Sequence, residues 1–273
     1  MTALSVFING VGLLGPGIAD WAQGQEQLAG RAPGQWLKTV LAAPAHLPPA
    51  ERRRAGAVIR VSQAVGFEAV AAAGIAPQGL VSVFTSSGGD GVNCHEICSQ
   101  LASDDRLISP TRFHNSVHNA ASGYWGIATG AMAASTALCA FDGSFAAGLV
   151  EAITQTVTQA VVQAEPVLLV AFDTDYPEPL RTCRPVPDTF GLALVLSPVR
   201  TAHSLGQITL HPASYLSPGP ADVLVDAVLE AQRQRIPAAR GLPLLAALVR
   251  QQAGMVRLDY LDDARLELEF TPC

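Results

Sequence analysis

The residues with chemical potential gather between Phe113 and Gly148. Cys139 ends a strand-like run, Ala134 to Cys139, and a small-residue segment from Gly143 to about Ala160 follows it with helical character. A thiol on a strand-to-helix turn can be activated by the helix N-terminus, and nearby backbone N–H groups can stabilise an oxyanion. Such a nucleophile needs a base. His114 and His118 are the nearest imidazoles, and their spacing of four would put them on one face of a helix. The pair could also ligate zinc, but no carboxylate or third ligand is spaced to help, so no metal is expected. A cysteine without a base is more often a small buried hydrophobe. Cys139 therefore stands between a reactive and a structural reading.

The other cysteines read as structural. Cys94, Ile97, Cys98 and Leu101 fall at helical spacing on a helix predicted from Gly91 to about Ala102, which makes an apolar stripe with His95 off it. Five cysteines in all, without framework spacing, predict a reducing, cytoplasmic setting rather than disulfides. Gly10, Gly12, Gly15 and Gly17 follow a strand, Leu4 to Asn9, and read as a turn into a helix from Ile18 to Ala29. They contain a GxGxxG pattern, yet Pro16 stands where the helix should open, and no acidic residue closes a second strand at the required distance. No nucleotide or other cofactor is expected.

These residues need a frame. A helix from about Glu51 to Ala73 carries Val58, Val61, Val65, Ala69 and Ala72 on one face, with Arg52, Arg53 and Arg54 in its first turn. The dipole does not favour cations there, so the arginines are either a solvated face or a docking patch for an acidic partner. Strands follow at Leu80 to Thr85, Ala134 to Cys139, Pro166 to Phe172 and Thr189 to Leu196, and Ser109-Pro110 opens a further helix. The order predicts an α/β fold, a mixed five-stranded sheet between helices. Residues 199–273 differ: a strand near Gln207 to His211, helices at 221–235 and 242–252, and a hairpin, Val256 to Leu261 with Arg265 to Phe270, turning at Asp262-Asp263. The division expected is 1–198 as the main unit, with 199–273 as a short α+β extension packing on it.

Composition narrows the partners. Only 15% of residues are charged, against roughly 25% in an average soluble domain, while 49% are hydrophobic. A surface so poor in charge is explained by burial against another subunit. The net charge of −6 and the absence of a basic stripe argue against nucleic acid. Apolar runs are short and broken by Gly or Pro, so no membrane span is expected. The start, MTALSVFINGVG, shows neither a basic region nor a cleavage site, so no signal peptide is expected.

Several phrases in this order resemble one family. SVFINGVGLLGPGIADW resembles the first strand and turn of β-ketoacyl synthases, LPPAERRRAGAVIRVSQAVGFEAVAAAGI their following helix, and ISPTRFHNSVHNAASGYWGIATG the segment ahead of their nucleophile. The resemblance spans about residues 4–197, the N-terminal half of a thiolase-like fold. It is nearest to the short, ketosynthase-like chain-length factors of type II polyketide and aryl-polyene systems. In that family a cysteine ends the third strand, and two histidines from the second half complete the site. Aligned on Gly143 and Gly148, the nucleophile position is Ala140, one residue past Cys139. After residue 198 only His203 and His211 remain, without the family's surrounding turns.

The resemblance therefore implies a non-catalytic subunit, inactive by itself. It would pair with an active ketosynthase in polyketide, aryl-polyene or fatty-acid-like elongation, with the chain delivered on an acyl carrier protein. It also implies that Phe113, His118, Tyr124, Trp125 and Met132 line or floor an acyl pocket at the subunit interface. His114 and Cys139 are placed in the same acyl-pocket and interface region. Two alternatives stand beside it: a self-standing acyl transferase or thioesterase that uses Cys139, with His114 or His118 as base, and a homodimeric scaffold.

Overall fold

The computed structural model describes residues 3–160, 165–212, 219–261 and 264–273. One eight-stranded sheet runs through it: β1 (Leu4–Leu14), β2 (Val81–Thr85), β3 (Ser135–Leu138), β4 (Val167–Asp173), β5 (Phe190–Ser197), β6 (Gly206–Leu210), β7 (Gly254–Asp259) and β8 (Arg265–Pro272). The order across the sheet is β3-β2-β4-β5-β1-β6-β8-β7. β3, β2 and β4 run parallel, and every other pairing is antiparallel. The predicted five-stranded mixed sheet is one arm of this. The extension contributes the other three strands, laid against β1.

β4 and β5 are buried on both faces, which explains their unbroken apolar runs. Their side chains divide with period two. Val167, Leu169 and Ala171 join a core beneath α7 (Ser144–Ala160) and α10 (Leu242–Arg250), while Leu168, Val170 and Phe172 join one beneath α3 (Ala57–Ala72) and α6 (Ala120–Thr129). The remaining helices are α1 (Trp21–Leu28), α2 (Pro49–Arg54), α4 (Gly91–Leu101), α5 (Pro110–Ser116), the single turn α8 (Leu180–Cys183) and α9 (Ala227–Arg235).

Three local expectations change. The first strand does not end at Asn9; it continues through Gly10 and Gly12 to Leu14. A Cβ at Gly10 would stand 2.1 Å from the Ala69 carbonyl oxygen, and one at Gly12 2.0 Å from that of Val65. These glycines let α3 lie directly on β1, and do not form a turn. The long helix from Glu51 is two helices, because Ala55 is extended and Gly56 caps α3. Arg52, Arg53 and Arg54 thereby fall in the last turn of α2, where the dipole favours cations. The helix expected over 221–235 starts at Ala227, where Asp226 accepts from the N–H groups of Val228 and Leu229. The Asp262-Asp263 turn lies outside the described residues.

Candidate functional site

β3 stands at one edge of the sheet, and among the described strands it pairs with β2 alone. The chain leaves it through Cys139 and Ala140 into a 3-10 turn, Phe141–Gly143, and then α7. The turn is closed from within. The Ser144 hydroxyl accepts from the Ala140 N–H at 3.0 Å and donates to the Phe141 carbonyl at 2.7 Å. Phe141 takes a left-handed conformation, φ 48°. Gly143 is required here, since a Cβ would stand 2.8 Å from the Tyr260 carbonyl oxygen at the end of the C-terminal hairpin. The extension thus sits on the start of α7, beside the β3–α7 turn.

Asp142 faces two arginines from elsewhere in the chain. Arg184 donates to it at 2.6 Å and Arg240, in a second 3-10 turn (Pro237–Gly241), at 3.0 Å. The Arg184 guanidinium also lies 3.6 Å from the centre of the Phe141 ring. Behind the turn, Asp173 ends β4 fully buried. It accepts from the Ser87 N–H at 2.9 Å, the Ser87 hydroxyl at 2.6 Å and the Ala238 N–H at 2.8 Å. Burial pushes its pKa up, against the lowering effect of those hydrogen bonds. One carboxyl group therefore fixes the loop after β2 to the extension. Sequence reading missed Asp142, Asp173, Arg184 and Arg240. The available signal was an aspartate at the carboxyl end of a strand.

The expected site residues separate into two sets. Cys139 is exposed, and its thiol donates to the Ser87 carbonyl at 3.1 Å. His114 and His118 do not share a helix face: α5 ends at Ser116 and Val117 is extended. His114 packs edge-on to Tyr124 with ring centres 6.2 Å apart, whereas His118 donates from Nε2 to the Leu138 carbonyl at 2.9 Å. That bond commits the Nε2 proton to the backbone. Phe113 (61% exposed) and Met132 (94%) lie on the surface. Tyr124 and Trp125 are instead buried in the subunit. The Tyr124 hydroxyl donates to Asn115 at 3.1 Å, and Trp125 packs on Phe67 and Phe84 with ring centres 4.7 and 6.4 Å away.

Cys94, Cys98 and Leu101 are also exposed, so the predicted stripe on α4 faces outward. Val92, Phe113, Val117, Ile127 and Met132 are exposed as well, so α4, α5, α6 and the approach to β3 all present apolar side chains to the surface. Among the described residues no group of three or more His, Cys, Asp or Glu could hold a metal, and no helix is long and apolar enough to cross a membrane.

The model of the β-ketoacyl synthase N-terminal domain matches residues 19–254. The chain belongs to this β-ketoacyl synthase family. No curated protein matches it in sequence. Among solved structures it is similar to a ketosynthase (ApeO) in complex with its chain length factor (ApeC) from Xenorhabdus doucetiae, with TM-score 0.71 at 20% identity, covering 97% of this chain and 99% of that one. It is similar to a chain of AntDE:AntF, a type II polyketide synthase acyl-carrier protein in complex with its ketosynthase bound to the hexaketide, with TM-score 0.73 at 12% identity and 100% of both chains covered. The ishigamide ketosynthase/chain length factor gives TM-score 0.70 at 12% identity, with 98% and 99% covered. At these identities the likeness establishes the fold, a thiolase-like ketosynthase half-domain. In this β-ketoacyl synthase relative the β3–α7 turn carries Ala140, Phe141 and Asp142 on a base of Ser144.

Proposed function

We propose that the chain is a ketosynthase-like subunit without a nucleophile of its own, which pairs with an active β-ketoacyl synthase and helps set the length of the chain that partner builds. The observation that carries this reading is the β3–α7 turn. Ala140 has no nucleophilic atom, the turn is closed by Ser144, and the C-terminal hairpin rests on Gly143. The exposed apolar surface around β3 supports a second subunit there. So do the solved neighbours, described as ketosynthase and chain-length-factor complexes.

In this assembly Phe113, His118 and Met132 face the partner, and Tyr124 and Trp125 set the depth of the pocket from behind. The growing chain arrives on an acyl carrier protein. A cleft of about 510 Å³ beside α2, α4 and α5 is lined by Arg53, Arg54 and Arg112 together with Asp90 and Asp175, and its slight excess of positive charge suits an acidic carrier. Arg53 forms no ion pair among the described residues.

Co-expression with the ketosynthase of the same gene cluster, followed by light scattering, tests the pairing. A stoichiometric heterodimer is expected; a stable homodimer that ignores the ketosynthase refutes the reading and favours the scaffold alternative. Within an assembled pair, Trp125→Phe is expected to shift products toward longer chains, and an unchanged product distribution counts against a role in chain length. The exposure of Cys139 favours one other reading, acyl transfer by this thiol. Rapid alkylation of Cys139 by iodoacetamide, at a pH where a model thiol is inert, would support it.

A further inference from the structure

A cavity of about 190 Å³ adjoins the β3–α7 turn, and its lining includes Asp142, Arg184, Gln234, Arg235 and Arg240. Three guanidinium groups come from three parts of the chain: the residue after α8, the last residue of α9, and the 3-10 turn that follows it. Among the described residues Asp142 is the only carboxylate in the lining, so their formal charge around the cavity is +2. The cavity lies near the carboxyl ends of the parallel strands β3 and β4, where open α/β sheets commonly bind ligands.

Two of the three arginines are held in place before any ligand arrives, and the third, Arg235, is exposed. Asp142 orients Arg184 and Arg240, the Phe141 ring lies under Arg184, and Arg235 is 5.5 Å from the centre of the Trp36 ring. Each guanidinium offers five N–H donors in a rigid fork, and a single carboxylate cannot satisfy three such forks. Arg184 and Arg240 are each less than one-fifth exposed, so their charges are poorly screened by water.

We propose that this cleft binds the phosphate group of a small phosphate monoester. Charge and size both favour it. A phosphate monoester carries about −1.5 to −2 near neutral pH, which matches the lining. The cavity is below the ~300 Å³ at which pockets begin to enclose drug-sized molecules, so it admits a phosphate head and a few further atoms. Arginine forks bind such oxyanions bidentately. The proposal does not depend on pairing with a ketosynthase.

The test titrates inorganic phosphate and glycerol 3-phosphate into the full chain, reading melting temperature and phosphorus NMR, with sodium chloride at matched ionic strength as reference. A saturable rise in melting temperature with phosphate, absent with chloride, is expected. Arg235→Ala removes a cation that makes no ion pair among the described residues, and should weaken binding at least ~10-fold without unfolding the chain. Arg235→Lys should restore part of it. Tighter binding of glycerol 3-phosphate than of inorganic phosphate assigns the site to an ester; equal affinity assigns it to the free ion and overturns the monoester. A response matched by chloride, or unchanged in both Arg235→Ala and Arg240→Ala, overturns the site altogether.

Discussion

The two ends of the sheet are built to different standards. At the β7 end, Leu258, Leu266, Leu268 and Phe270 are fully buried beneath α10, and Asp222 bonds in both directions with the backbone of Arg257. At the β3 end, the edge strand is open and Phe113, Met132 and the α4 stripe face outward. An open edge beside exposed apolar side chains invites pairing or aggregation unless a partner covers it. The β7 end thus packs one face under α10, whereas the β3 end leaves the apolar side chains of α4 and of the approach to β3 in the open.

The largest effect that would sharpen this contrast is at the finished end. Phe270→Ala should cost ~3–5 kcal/mol in denaturant unfolding of the isolated chain, because a fully buried ring leaves a cavity. A cost below about 1 kcal/mol would show that this end is not part of the cooperative core.

Next comes the tie between the two ends. Asp173→Asn keeps one oxygen for Ser87 but sets an amide against the Ala238 N–H, so a loss of ~1–3 kcal/mol is expected. The pH dependence has a definite sign. The folded pKa of Asp173 is raised, so its contribution is complete below the unfolded value of about 3.9 and declines as pH rises through the folded value. Unfolding midpoints measured from pH 4 upward should fall less steeply in Asp173→Asn than in the wild type.

At the open end, Met132→Asp should change the stability of the isolated chain by no more than ~0.5 kcal/mol, since the side chain is 94% exposed. Yet it should abolish co-purification with the ketosynthase. If pairing survives both Met132→Asp and Phe113→Asp, the interface lies elsewhere. The smallest effect is expected at Cys139. Cys139→Ser should leave stability within ~0.5 kcal/mol and assembly unchanged, and Ala140→Cys should form no acyl-enzyme when mass is measured after incubation with an acyl thioester. An acyl adduct on either cysteine would reverse the assignment of a non-catalytic turn.

Much of the frame was legible beforehand. β4 and β5 were placed within a residue or two of their ends, and α7 was expected at Gly143 to about Ala160 and α10 at 242–252, close to where they lie. The glycines of β1 misled, because a glycine needed for close helix packing looks the same in sequence as one needed for a turn. Only the approach of Ala69 and Val65 distinguishes them. The α4 stripe misled in the opposite way: its period was right, but period alone does not say which side of a helix meets its own core. Tyr124 and Trp125 were legible as important and illegible as buried, since bulky aromatics serve cores and interfaces alike.

By itself the sequence determined residue types: Ala140 offers no nucleophilic atom, and His203 and His211 are the only histidines after residue 198. Tertiary structure alone decided what surrounds the β3–α7 turn. Asp142, Arg184 and Arg240 are separated by up to 98 residues, and Asp173 reaches Ala238 across 65. Local propensity and periodicity act over a few residues, whereas ion pairs and buried carboxyl groups depend on which distant segments the sheet order brings together.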